Sequence, residues 1–303
     1  MTENPFDPVI LSKISNMELR ARLIVDGALS GIHKSPFRGS SIEFLEHKEY
    51  SPGDEIKHID WKVYARTDKY YIKQFEEETN LKCYIFLDNS GSMGYKSTGV
   101  SKFEYASTLT ASLAYLLLKQ SDMVGFVSFN DKVIKYIPPR SRITHLNVLL
   151  NALAELKPSG KSDIGNILNE FIEKIGRRSL IIVVSDFLDD TDKIIKQLKY
   201  FQFKRSEIIL FHILDHYELT FPFETITYFE SMEDERRILA EPKSIRNHYL
   251  NELNRYLEQF KQSCLENQID YWLIDSSTPL DHALIKFLMR REGSQHSITK
   301  FFK

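Results

Sequence analysis

A carboxylate and two hydroxyls alternate in Asp88-Asn89-Ser90-Gly91-Ser92, directly after the apolar run Cys83-Tyr84-Ile85-Phe86-Leu87. Oxygen donors spaced this way, where a buried strand gives way to a loop, can converge on one small hard cation. An Asp at the end of such a strand also lies where open α/β sheets bind ligands. Mg²⁺ asks for six oxygens at about 2.0–2.1 Å, so the loop needs donors from elsewhere in the chain. Ser159-Gly160-Lys161-Ser162-Asp163 stands just before a helical pattern and can deliver the Ser162 hydroxyl. Ser185-Asp186 ends the most apolar strand-like run, Leu180-Ile181-Ile182-Val183-Val184. If that strand neighbours the Asp88 strand, the two carboxylates share a cleft. Without a cation, one of them must then rise in pKa.

Other chemistries find less support. His47, His58 and Asp60 have neither the count nor the spacing of a zinc site. The segment from Gly27 to Ser35 imitates a phosphate loop, but a helix-like stretch precedes it and its last Gly is not adjacent to Lys34. Gly91-Ser92-Met93-Gly94 lacks the dinucleotide-binding spacing, and Asn89-Ser90 replaces the second acid of an Asp-x-Asp phosphatase. A Mg²⁺-dependent phosphohydrolase or nuclease would have to recruit Asp163 and Asp215 as extra carboxylates.

The elements that must position these residues follow from periodicity. Apolar strand-like runs fall at 82–88, 123–130, 132–138, 179–186, 207–215 and 270–275. Helical stripes lie between them: Phe103, Ala106, Leu109, Leu113 and Leu116, then Ile164, Ile167, Leu168, Phe171, Ile172 and Ile175. A last helix is predicted over about 243–267, with Ile245, Tyr249, Leu253, Tyr256, Leu257 and Phe260 inward. Alternation of this kind means an α/β domain with a mostly parallel sheet covered by helices on both faces. The turn signal Asn130-Asp131 makes 123–138 an antiparallel hairpin at one edge. Asp88, Asp186, Asp215 and Asp275 all end strands, a place where Asp also serves as a helix cap.

Residues 1–80 break the alternation and read as an N-terminal extension. A helix is predicted over 8–27, with Ile10, Ile14, Leu19, Leu23 and Ile24 on one stripe, followed by a basic loop containing Arg38. Extended segments at 41–50 and 70–79 flank a short helix at 59–65. The α/β domain then spans 81–292. It carries an insertion at 217–242, where 221–229 reads as a β excursion, and 293–303 forms a mobile tail.

With 303 residues, 42% of them hydrophobic, the chain can bury a large core. A net charge of -2 gives no global field for nucleic acid or anionic lipid. Cys83 and Cys264 fall in apolar patterns and read as buried thiols of a reducing compartment. No apolar run approaches the roughly 18 residues of a membrane span, and the acidic N-terminus lacks a secretory h-region. The expectation is a cytoplasmic protein that reaches a membrane only through partners.

Asp-x-Ser-x-Ser, a Gly-x-Ser loop and a later strand-ending Asp together resemble the metal-ion-dependent adhesion site of the von Willebrand factor A fold. The pattern maps onto Asp88, Ser90, Ser92, Ser162 and Asp186, with Ser162 standing where Thr is usual. The resemblance implies bound Mg²⁺ or Mn²⁺ and a Rossmann-like sheet in the order 3-2-1-4-5-6, antiparallel at the edge. Residues 40–66, with Pro52-Gly53-Asp54, Asp60-Trp61 and Ala65-Arg66, resemble the signature of the DUF58 proteins. These are bacterial proteins with a von Willebrand A domain, often encoded beside MoxR-type AAA+ ATPases. That resemblance implies an adaptor without catalysis, its partner a MoxR-type ATPase or a client protein whose acidic side chain completes the metal shell. Arg38, just before the signature, and His58, Asp60, Trp61 and Arg66 within it are candidates for a docking surface. Bracing of the extension is the other reading, and a scaffold with a vestigial metal site is the other reading of the whole.

Overall fold

The computed structural model describes residues 16–33, 47–49, 64, 71–73, 81–97, 99–285 and 288. The chain divides into two compact units, residues 1–35 with 81–303, and residues 36–80. The first described element is α1 (Met17–His33), which runs through Gly27 and Gly31, so no phosphate loop forms there. Its buried stripe is Ala21, Ile24, Val25 and Ala28, whereas Leu19 and Leu23, expected inside, are exposed. That face is buried because it packs against another helix, α2 below. Residues 8–15 of the predicted helix lie outside the described residues.

In the smaller unit, β1 (His47–Glu49) and β2 (Tyr71–Lys73) pair antiparallel, His47 opposite Lys73. Both fall inside the segments predicted to be extended. Arg38, His58, Asp60, Trp61 and Arg66, like the tail at 293–303, lie outside the described residues.

The larger unit is built on β3 (Lys82–Asp88), α2 (Lys102–Lys119), β4 (Met123–Phe129), β5 (Val133–Arg140), α3 (His145–Glu155), α4 (Ile164–Ile172), β6 (Ser179–Ser185), α5 (Thr191–Phe203) and β7 (Glu207–Leu214). It continues through α6 (His216–Thr220), β8 (Thr227–Glu230), β9 (Arg237–Ala240), α7 (Pro242–Glu266) and β10 (Asp270–Asp275). The main sheet has the order β10-β7-β6-β3-β4-β5. Counted by chain position its strands run 3-2-1-4-5-6, as the resemblance implied. All neighbours are parallel except β4 and β5.

Alternation along the central strand places the core. Cys83, Ile85 and Leu87 join one apolar cluster with side chains of α1, α2 and α3. Tyr84 and Phe86 point to the other face, into a cluster with α4, α5 and α7. Strand β6 is buried at every position, which explains why it reads as a continuous apolar run. The hairpin turns where predicted: the Asn130 backbone N–H donates to Lys132 O and its side chain accepts from Lys132 N–H. Edge strand β5 carries Pro138 and Pro139. A Cβ on Gly125 of β4 would lie 3.2 Å from the Pro139 ring, and the register shifts at this point.

The insertion differs from expectation. Asp215 caps α6 through a capping box with Glu218, so a short helix comes first and the β hairpin is displaced to 227–240. Helix α7 matches its predicted span, but only Leu257 and Phe260 of the expected inward residues are fully buried; Ile245, Tyr249, Leu253 and Tyr256 are half-buried. Among the described residues no helix is long and apolar enough to cross a membrane.

Candidate metal centre

Asp88 is the last residue of β3, and the chain then turns through a short 3-10 segment, Gly91–Gly94. The loop is fastened on both sides. Asn89 N–H donates to Phe129 O at 2.6 Å, at the end of β4. On the other side Gly91 N–H donates to Gly160 O at 2.8 Å, and Ser159 N–H to Asn89 O at 2.8 Å. The Asn89 and Asn130 amides hold the same 157–160 segment by its backbone carbonyls, each at 2.9 Å. These contacts carry Ser162 to Asp88 before Asp163 caps α4.

Strand pairing does the rest. Leu87 lies opposite Val184 in adjacent parallel strands, so Asp88 and Ser185 leave the sheet side by side. Asp88 Oδ2 accepts the Ser185 hydroxyl at 2.6 Å and the Ser162 hydroxyl at 3.0 Å. Its Oδ1 accepts Ser90 N–H at 2.8 Å, and the Ser90 and Ser92 hydroxyl oxygens stand 3.1 Å apart. The Ser92 hydroxyl is also a partner of Asp186. The structure thus brings Asp88, Ser90, Ser92, Ser162 and Asp186 to one place. The pattern did not include Ser185, although it sits beside a named residue.

A buried ammonium is the larger surprise. Lys102, the first residue of α2, is fully buried and donates to Asp186 Oδ2 at 2.8 Å and Glu218 Oε1 at 2.7 Å. Burial opposes its charge, but the two carboxylates override that and raise its pKa. Burial would push Asp186 up, yet Lys102 holds it below the usual carboxylate range. Asp88 has no such partner: burial first, then the Asp186 charge, push it up to about 6. Nearby His212 is driven by burial down to about 3 and is neutral. The conflict expected between two neighbouring carboxylates therefore falls on Asp88 alone. A lysine in the first turn of a helix opposes the macrodipole, and this anomaly was the sequence signal for Lys102. Glu218 had the Asp-x-x-Glu spacing of a capping box.

The donor set suits a hard ion. Clustered carboxylate and hydroxyl oxygens match the ligand preference of Mg²⁺ or Mn²⁺, and no Cys or imidazole is among them. Among the described residues, no three His, Cys, Asp or Glu side chains are gathered so as to hold an ion by themselves. The serines are thus indispensable to any such site. Asp163 and Asp215, the extra carboxylates a hydrolytic reading needs, are N-caps of α4 and α6.

A parallel sheet in this order, one antiparallel edge strand and an Asp-x-Ser-x-Ser loop at its carboxyl edge define a von Willebrand factor A-type α/β domain. Within that class the chain belongs to the DUF58 family, described as proteins of unknown function, whose model matches residues 46–258. The uncharacterized protein Rv1480 of Mycobacterium tuberculosis is 24% identical over 219 residues, covering 71% of this chain and 68% of that one. Among solved structures, BatB, a conserved hypothetical protein of Bacteroides thetaiotaomicron, is 18% identical, covering 69% of this chain and 98% of its own, with a TM-score of 0.49. The VWA domain of SpRpn10 is 15% identical, covering 67% of this chain and 93% of its own, with a TM-score of 0.40.

Proposed function

We propose that this protein is a metal-dependent protein-interaction module. Asp88, Ser90, Ser92, Ser162 and Asp186 would hold Mg²⁺ or Mn²⁺ at the carboxyl edge of the sheet. A divalent ion ligated largely by neutral hydroxyls keeps residual positive charge and an open position, which an acidic side chain of another protein can fill. The family resemblance points to a MoxR-type AAA+ ATPase, or a client it remodels, as the source of that side chain. In this reading the protein is an adaptor in the maturation of protein complexes.

The observation that carries the proposal is the unrelieved charge of Asp88. It is buried, faces Asp186, and has only hydroxyl and N–H donors to balance it. The ammonium of Lys102 is taken up by Asp186 and Glu218 and gives Asp88 no counter-charge. A divalent cation would restore the balance. With Asp163 and Asp215 committed to helix caps, we assign no hydrolytic role to the cleft.

One feature favours a second reading, a scaffold whose metal site is vestigial: Lys102 already supplies Asp186 with a counter-charge. Thermal melting separates the two. A ligand that binds only the native state raises stability by about 2.7 kcal/mol at a hundredfold excess over its Kd. The wild type is expected to melt several degrees higher in Mg²⁺ than in chelator, and Asp88→Ala to show no such difference. Equal melting temperatures for the wild type in the two conditions would leave the scaffold standing.

A further inference from the structure

The β8–β9 hairpin lays its own acidic residue against this site. Its tip is ordered by local bonds: Ser231 Oγ accepts Glu233 N–H at 3.3 Å and Asp234 N–H at 3.2 Å, and Arg236 Nε donates to both Asp234 oxygens at 2.9 Å. The tip rests directly on the Asp88 loop. A Cβ built on Gly91, between the two loop serines, would lie only 2.0 Å from Met232 O, so this position requires Gly. Lys161 Nζ, from the Ser162 loop, pairs with Asp234 at 3.4 Å. So placed, the half-buried Glu233 carboxylate has the Ser92 hydroxyl as a partner and lies within the fields of Asp186 and Asp189. Lys161 opposes those fields, but it is itself tied to Asp234.

The Asp186 and Asp189 charges oppose the Glu233 carboxylate where it sits, and the Ser92 hydroxyl and Lys161 offset them only in part. A cation held by the Asp88 and Ser162 loops would favour it there, because an anion on that side is what an incompletely neutralised divalent ion attracts. We propose that Glu233 is the resident acidic ligand of the metal site, and that a partner's acidic residue binds by displacing it. The hairpin is then a tethered competitor. Its high effective concentration sets a threshold that only a well-matched partner overcomes. The proposal rests on the metal-dependent reading above and adds the group that regulates it.

The test uses the full chain and Mn²⁺ as the probe, comparing wild type, Glu233→Gln, Asp88→Ala and the charge-matched control Glu235→Gln, which alters an exposed residue of the same turn. Mn²⁺ affinity comes from calorimetry, and water access to the bound ion from proton relaxation enhancement. Loss of a metal-site carboxylate is expected to weaken binding by about tenfold or more. Glu233→Gln should do this and also raise the relaxation enhancement per bound ion, since water replaces the lost ligand, while Glu235→Gln leaves both unchanged. If Glu233→Gln binds Mn²⁺ as the wild type does with unaltered enhancement, or if Glu235→Gln weakens it equally, the internal ligand is overturned while the metal site stands. Failure of the wild type to bind any Mn²⁺ that Asp88→Ala loses would instead overturn the parent reading, and this proposal with it.

Discussion

Asp88 and Asp186 are chemically the same group with opposite electrostatic fates, and one lysine makes the difference. The consequence for stability has a definite sign. Asp88 is raised in the folded protein from 3.8 to about 6, so between those pH values the native state holds a proton that the unfolded chain has released. Its contribution is therefore full below about pH 4, is lost as pH climbs to 6, and is flat beyond. The shift corresponds to ~3 kcal/mol. Asp88→Asn keeps the size and the acceptor for Ser90 N–H but cannot ionise. In chelator, urea unfolding should show the Asn variant gaining stability relative to wild type, by up to that amount, between pH 4 and pH 7. A constant difference between the two proteins across this range would refute the assignment. The oxygen donors were legible because Asp88, Ser90 and Ser92 are local in sequence. Lys102 showed only as a basic residue in a first helical turn, and its role was hidden because it depends on Asp186, 84 positions away, meeting it across the sheet.

Among the elements, α7 shows how an outer helix supports the cleft. Phe260 lies 5.4 Å from the ring of Phe187, the residue after Asp186, and 5.5 Å from the ring of Tyr271 on β10. The Tyr256 hydroxyl bonds the Phe187 carbonyl. The last turns of α7 therefore buttress the backbone carrying Asp186, whereas its first half is only half-buried. Phe260→Ala should cost about 3–5 kcal/mol, and Leu253→Ala much less, as measured by chemical denaturation. Equal losses would mean that the helix packs uniformly. Periodicity predicted the span of α7 well but overstated its buried face, because its stripe continues over a part that only the small insertion covers. For α4 the pattern and the packing agree, since that helix lies flat on the sheet. The insertion was misplaced by about one short helix; its capping box was present in the sequence but was outweighed by the run of aromatics at Phe221, Phe223 and Phe229.

At the scale of the whole molecule, the strands and their hairpin exception were readable from alternation and turn residues. Which strands are neighbours was not, because β3 and β6 pair across nearly a hundred positions; only the resemblance implied the order. The same topology sets a gradient of local stability. Strands β3 and β6 lie at the centre with both faces covered, while the β8–β9 hairpin is largely exposed. Native-state hydrogen exchange should show the greatest protection in β3 and β6 and the least in the hairpin. Protection of the hairpin as strong as that of the central strands would contradict this ranking. The outermost strand carries a further implication. Pro138 and Pro139 remove two amide donors from β5 and break the regularity of its ladder, and Lys135 and Arg140 add charge to it. Sideways recruitment of a foreign strand is thereby discouraged on that flank. Any larger assembly containing this protein has to be joined through loops or helical surfaces there, not by lengthening the ladder.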